Sequence, residues 1–402
     1  MGNPKKITGP LRWSHVAAFR LARHHLIGRT TADPSAGASG KALEEVCRDL
    51  CGVQAQVMSS AELACWVRAT GISRDAIHSA LWKHRTLVRT SCMRQTLHLL
   101  PAADFPMYIT ALKRSRLAAI LRGMARLGMT AKDLDELNTL IVEELRSGPK
   151  SQRDLTQAIR PKVNPRVRAW MERFWSIVRP AVVEGLVCYG PEQNEGKRNE
   201  AVFILVDQWL PRQKRVDELT AQQSLLRSYL RCYGPATVQD FAFWSGIGMK
   251  ESREIWNTLA DELVAVSIES QNKYILNRDL ENLKESDLKE DVVRLLPGFD
   301  PYLLAHAKKD HIVNDQYYKR VYRNQGWISP VVLVNGKIAG IWSCAKKGKT
   351  LSFKAELFKK PPRSQRAGIH DEAEKLSGFL GGSVSIEIGS LGDRVIGTRS
   401  PQ

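Results

Sequence analysis

Gln54 and Gln56, separated by one alanine, are the polar pair whose spacing invites a chemical reading. In an extended backbone, residues two apart project to the same side. Val53, Ala55 and Val57 then point into the core, and the two carboxamides point out together. The same stretch also reads as a polar loop between two helices, and spacing alone leaves both readings open. A carboxamide offers acceptor and donor atoms but almost no proton affinity at neutral pH, so such a pair suits holding water rather than base catalysis.

Other chemistries find little support. His24, His25, His78, His84, His98, His306 and His311 have no ligand spacing joined to cysteine or a carboxylate cluster, so no metal site is expected. His306 and Asp310 stand four apart, but the intervening Ala-Lys-Lys run reads as a charged turn. No nucleophile elbow surrounds a serine or cysteine, no glycine loop could cradle phosphate, and no cofactor is expected. Asp300 before Pro301 is a natural turn starter and reads as structural.

The elements that must position the glutamines belong to a 402-residue chain with 43% hydrophobic and 25% charged residues, which is globular composition. Lys plus Arg number 60 against 42 for Asp plus Glu, a net charge of +18 that favours an anionic partner, nucleic acid first. The competing reading is a surface tuned for solubility. The seven cysteines are scattered singly and form no C-x-x-C pair, which argues against a disulfide framework or a zinc knuckle. Residues 1–13 lack an apolar signal core, and no run approaches the roughly 20 apolar residues of a membrane span. A reduced, soluble, cytoplasmic protein is expected.

The segment from Trp13 to Arg23 is predicted to be helical, with Val16, Phe19 and Leu21 inward and Arg20 and Arg23 facing away. A loose stretch follows from Thr30 to Gly40, then a helix from Lys41 to Leu50. Ser59 and Glu62 have capping-box spacing ahead of Leu63, Trp66 and Val67. Leu87 to Leu100 reads as a two-stranded hairpin around Arg94-Gln95. Further on, Gly148-Pro149 and Gly234-Pro235 start similar segments: each has a hydroxyl two places on (Ser151, Thr237) and an aspartate three beyond it (Asp154, Asp240). Glycine and proline end one helix, and the hydroxyl caps the next. Each copy continues with tryptophans (Trp170 and Trp175; Trp244 and Trp256) and closes on an apolar strand pair: Leu186–Cys188 with Val202–Val206, and Leu263–Val266 with Tyr274–Leu276.

That order, helices and then a two-stranded wing, is the winged-helix order. The expected fold is α+β and mainly helical: winged helices over residues 1–125 (carrying Gln54-Ala55-Gln56), 126–215 and 216–290, then a β-rich, small barrel-like domain over 291–402. In the last region, strands are expected at Val292–Leu296, Val331–Val334, Ile338–Trp342 and Ser383–Ile388, with one helix from Arg363 to Phe379. Asn335-Gly336 is a strong hairpin signal and Lys347-Gly348 a weaker one.

Three segments together resemble a known family. Gly52-Val-Gln54-Ala-Gln56, Leu87-Val-Arg-Thr-Ser-Cys-Met-Arg-Gln-Thr-Leu-His98 and Leu296-Pro-Gly-Phe-Asp300-Pro-Tyr look like the AlkZ/YcaQ-type DNA glycosylases, and the likeness runs from the Trp13 helix to the strands near Trp342. The resemblance implies tandem winged helices and a β-domain forming a C-shaped DNA channel, and a catalytic motif of Gln, an apolar residue, then Gln or Asp. Gln54-Ala55-Gln56 matches the Gln-Gln branch, associated with self-resistance to crosslinking natural products. One departure stands out. Gln95 occupies a turn position where relatives tend to have Gly, which tolerates positive φ far better. The middle residue is only Ala55, which should loosen packing beneath the site.

The activity this implies is a monofunctional DNA glycosylase that hydrolyses the N-glycosidic bond of cationic N7-alkylguanine, unhooking of interstrand crosslinks included. Gln56 is expected to orient the attacking water, and Gln54 to help hold water or sugar. Arg89, Arg94 and His98, on or beside the hairpin, are expected DNA contacts, as are Lys250, Arg253, Lys346, Lys347 and Lys349. The expected partner is double-stranded DNA with alkylated or crosslinked guanine, bound by a monomer in the cytoplasm near the nucleoid. Two rivals stand beside this reading: a non-enzymatic transcription regulator and a drug-sequestering resistance protein.

Overall fold

Two of the expected helix starts follow the capping chemistry. The computed structural model describes residues 6–31, 38–173, 176–191 and 200–390. Ser151 caps the helix Gln152–Ile159, its Oγ accepting from the Asp154 amide at 3.2 Å. Thr237 caps Val238–Ser245 in a reciprocal box: Asp240 N–H donates to Thr237 Oγ1, and Thr237 N–H donates to Asp240 Oδ2. Ser59 does not act this way. Its helix, Met58–Trp66, begins one residue earlier with no side-chain cap, and Glu62 is buried, engaged by Arg74 and His78. Trp175 lies outside the described residues, as does most of the loose Thr30–Gly40 stretch, after which the helix Ala38–Asp49 begins.

Helices make up about half of the described residues, and the strands gather into four sheets, an α+β organisation. The expected hairpin forms as Leu87–Ser91 and Leu97–Pro101. It belongs to a six-stranded sheet running Val53–Gln54, Leu97–Pro101, Leu87–Ser91, Val187–Tyr189, Val202–Leu205, Lys150–Ser151. The first two strand pairs are therefore one sheet, joined where Arg89 meets Tyr189. The third pair, Leu263–Ile268 with Gln271–Leu276, gains a parallel strand, Lys6–Leu11, that the sequence did not signal.

Packing ties the start of the chain to its later parts. Val53, Ala55, Leu99 and Leu100 share a core with Leu225, Tyr229, Tyr233, Phe241 and Trp244. Ile120 to Leu205 enclose a separate core of their own. Arg20 was expected to face away from the first helix's apolar side, but it is buried, donating to the carbonyls of Gly234 and Pro235 at 3.3 and 2.9 Å. Arg68 and Asp300, both fully buried, form a two-pronged ion pair at 2.8 and 2.7 Å, and Asp300 also accepts from the Tyr302 amide at 2.9 Å.

The C-terminal sheet is open rather than barrel-like. Its order is Val293–Leu296, Val331–Val334, Lys337–Lys347, Thr350–Leu357, Ser383–Ser390, with the first and last strands as its edges among the described residues. The last strand arrives by way of the helix Arg363–Leu380 and pairs parallel with Thr350–Leu357, so nothing brings it round to the first. Thr350–Leu357 was missed in the sequence, although its alternate residues Leu351, Phe353, Ala355 and Leu357 are buried. Asn335 and Gly336 make the expected turn, at φ 51° and 77°.

Candidate active site

Val53–Gln54 is a short strand at the edge of the six-stranded sheet, with Val53 opposite Leu99 and Gln54 opposite His98. The Ala55 amide continues the pairing, donating to the Leu97 carbonyl at 2.6 Å. Val53 and Ala55 are fully buried, as the alternation predicts, but the strand ends at Gln54, Val57 is only half-buried, and Gln54 is buried too, so the stretch is extended at its start and bends beyond it. The two glutamines do not share one environment. Gln54 is only 7% exposed, whereas Gln56 lies at the surface with its Oε1 accepting from the Leu97 amide at 3.3 Å.

Three expected DNA contacts turn inward. Arg89 is buried, donates to the Ala55 carbonyl at 3.3 Å and lies over the Tyr189 ring, so it braces the backbone between the two glutamines. Arg94 reaches from the hairpin turn into the interior, giving one N–H to the Trp244 carbonyl at 2.6 Å and another to Gln54 Oε1 at 3.0 Å. Burial draws its pKa down to about 10. His98 is buried between Gln54 and Thr90 along the sheet, with Nδ1–H donating to the Thr96 carbonyl. Burial and the nearby Arg94 cation push its pKa down to about 3, so it is neutral at physiological pH. For the two arginines the partners that draw them inward come from other strands and helices, whereas His98 bonds within its own hairpin.

Lys250 and Arg253 are exposed on the helix Met249–Asn257, which starts just beyond the Trp244–Gly246 stretch where Arg94 docks. Lys346, Lys347 and Lys349 are exposed at a turn of the C-terminal sheet, a different sheet from that of the glutamines. Two further guanidinium groups went unnoticed in the sequence. Arg116 donates twice to Ser91 at 2.8 Å, and Arg179 donates to the Gln95 side chain. Both sit on helices distant in sequence, and no spacing rule could have pointed to the hairpin. His25, Glu45 and Asp49 bring ligand-type atoms within 4.8 Å of one another, a grouping the sequence reading did not find. Its contacts are with protein groups: Asp49 pairs with His25 at 2.9 Å and with Arg231 at 3.0 Å.

The geometry is thus a pair of carboxamides, one clamped and one open, on a strand braced by buried arginines. It offers hydrogen bonds to water and to a polar substrate, with no strong base among the expected residues. The family model described as DNA glycosylase AlkZ-like matches residues 47–379, and the chain belongs to that family. Among individual proteins, the interstrand DNA cross-link repair glycosylase of Streptomyces sahachiroi is 31% identical over 339 residues, covering 82% of this chain and 87% of that protein. The solved structure of Streptomyces sahachiroi DNA glycosylase AlkZ matches with a TM-score of 0.79 at 27% identity, over 94% of this chain and 100% of that one. Among the described residues, no helix is long and apolar enough to cross a membrane.

Proposed function

We propose that this glycosylase hydrolyses the N-glycosidic bond of cationic N7-alkylguanine in duplex DNA, including guanines held in interstrand crosslinks, in repair or in self-resistance to a genotoxic natural product. The observation that carries this reading is the exposed Gln56 beside the braced Gln54, in a chain 31% identical to a crosslink repair glycosylase. An alkylated guanine already bears positive charge, so it leaves as a neutral base without an acid catalyst. The transition state gathers charge on the sugar, as in other glycosidic cleavages. The protein then needs only to place water and dipoles at the sugar. Gln56 orients the water: its carbonyl oxygen keeps a lone pair beside the long Leu97 contact, and that lone pair accepts a hydrogen bond from the water, which stays intact until it attacks the sugar. Gln54 holds the nucleotide. A crosslinked base is tethered to the other strand, so attack occurs with the nucleotide mostly within the duplex.

In this reading residues 1–125, 126–215 and 216–290 act as winged-helix modules with residues 291–402 as a β-rich fourth, and a monomer in the cytoplasm meets DNA through Lys250, Arg253, Lys346, Lys347 and Lys349. The test is incubation with a duplex bearing N7-methylguanine, followed by alkali, which breaks the strand wherever a base has been lost. Strand breaks at the lesion are expected. Gln56→Ala should lower their rate by at least about 100-fold while duplex affinity stays within about threefold, in line with losses seen when a single positioning dipole is removed. Equal loss of binding and cleavage, or rapid release of uncharged uracil, contradicts the assignment.

A further inference from the structure

We propose that Arg94 is a positioning residue of the site, fixing the Gln54 carboxamide so that Gln54 meets DNA as a hydrogen-bond donor. This deepens the proposed function and rests on it. A guanidinium carries only donors, so the group of Gln54 that faces it must be the carbonyl oxygen. The amide NH2 is thereby turned away from Arg94, the orientation suited to a sugar, phosphate or base acceptor. The Leu97 N–H likewise faces the Gln56 oxygen, but at 3.3 Å and on an exposed side chain it imposes little. The two glutamines therefore divide the work: Gln54 is a fixed donor, and Gln56 is the adjustable acceptor for water.

The other arm of Arg94 explains why the clamp is rigid. It ends on the carbonyl of Trp244, in the last turn of the helix Val238–Ser245, where the helix dipole is negative and favours a cation. Gly246, which closes that helix at φ 77°, lies so close to the hairpin that a Cβ on it would stand 3.1 Å from the Arg94 N and Cα. The hairpin turn is thus seated directly on the helix end, and the motif is registered against a helix some 190 positions further along the chain. Arg94 itself is held at φ 52°, a region that side chains rarely adopt.

The test compares Arg94→Lys, Arg94→Met and Gln54→Glu with wild type, measuring single-turnover base release from the N7-methylguanine duplex at saturating enzyme, duplex affinity and thermal midpoint. Arg94→Met is expected to lose about 30-fold or more in the release rate with affinity within about threefold, and Arg94→Lys to recover part of the rate. Gln54→Glu retains a partner for Arg94 but has no NH2, and is expected to be as slow as Arg94→Met with its fold intact. The proposal is overturned if Arg94→Met loses affinity and rate in equal measure, if it keeps the wild-type rate, or if Gln54→Glu keeps it. Should Arg94→Met fail to fold, Gln54→Glu decides alone. Release by wild type that is abolished in Gln56→Ala yet unaffected in these variants would sink this inference and leave the proposed function standing. Absence of release by wild type would instead remove the function itself.

Discussion

Two turns in this protein share a backbone and differ in what they carry. Asn335-Gly336 and Arg94-Gln95 both place two successive residues in the left-handed region, at φ 51° and 77° in the first and 52° and 62° in the second. The first uses the residues that tolerate that region best. It joins two strands of the C-terminal sheet, and its Asn335 side chain ties the turn to the start of the neighbouring strand by accepting from the Val292 amide, well away from the glutamines. The second uses two long side chains, a combination that costs on the order of 1 kcal/mol or more per residue. In return, Arg94 reaches Gln54 and Trp244, and Gln95 receives Arg179. Strain has been tolerated where a side chain is needed and avoided where only a change of direction is needed.

The comparison can be broken at either turn. The largest effect is expected from Gly336→Val. A Cβ there would lie 2.7 Å from the Ala17 methyl and 2.9 Å from the Tyr302 hydroxyl, and a β-branched residue resists positive φ. A loss of roughly 3 kcal/mol in denaturant unfolding is expected, with base release per folded molecule unchanged. A rate that fell with stability would mean that this turn, too, serves the site. Next comes a pH effect from the functional turn's neighbour. His98 has a folded pKa of about 3, below the ordinary value, so the unfolded chain binds its proton first. Its contribution is complete above about pH 6.5 and is lost as pH falls from there towards 3. His24, His306 and His311 are shifted the same way, so the mark of His98 is a shallower decline in His98→Gln than in wild type, read from stability curves between pH 7 and 4. Parallel curves would show that His98 is not buried as described. The smallest effect is Gln95→Gly: relief of φ 62° should add about 1 kcal/mol of stability with the release rate within a few-fold of wild type. A large loss of rate would extend the functional role from Arg94 to the Arg179 contact.

What the sequence revealed follows the range of the interactions involved. Ser151 with Asp154 and Thr237 with Asp240 were legible because a cap is settled within three residues. The hairpin and the Asn335-Gly336 turn were legible for the same reason. Arg20, Arg89 and His98 lie buried and Arg94 turns inward, where a charged side chain reads as exposed unless its partners are known. Arg94 depends on Trp244, and Arg20 on Gly234 and Pro235, all far along the chain. Gln54-Ala55-Gln56 was identified as a motif, but the unlike burial of its two glutamines depends on Arg94 and could not be read from spacing. The open edge of the C-terminal sheet was hidden for a further reason: strand patterns do not reveal which strands pair.

The ion pair between Arg68 and Asp300 has a bearing on how such chains can diverge. Both groups are wholly enclosed, and each is neutralised by the other across more than half the length of the polypeptide. Losing either one alone strands a charge in the interior, worth about 3–5 kcal/mol. A change at position 68 is therefore expected to be tolerated only with a matching change at position 300, so two sites 232 residues apart behave as one unit of variation.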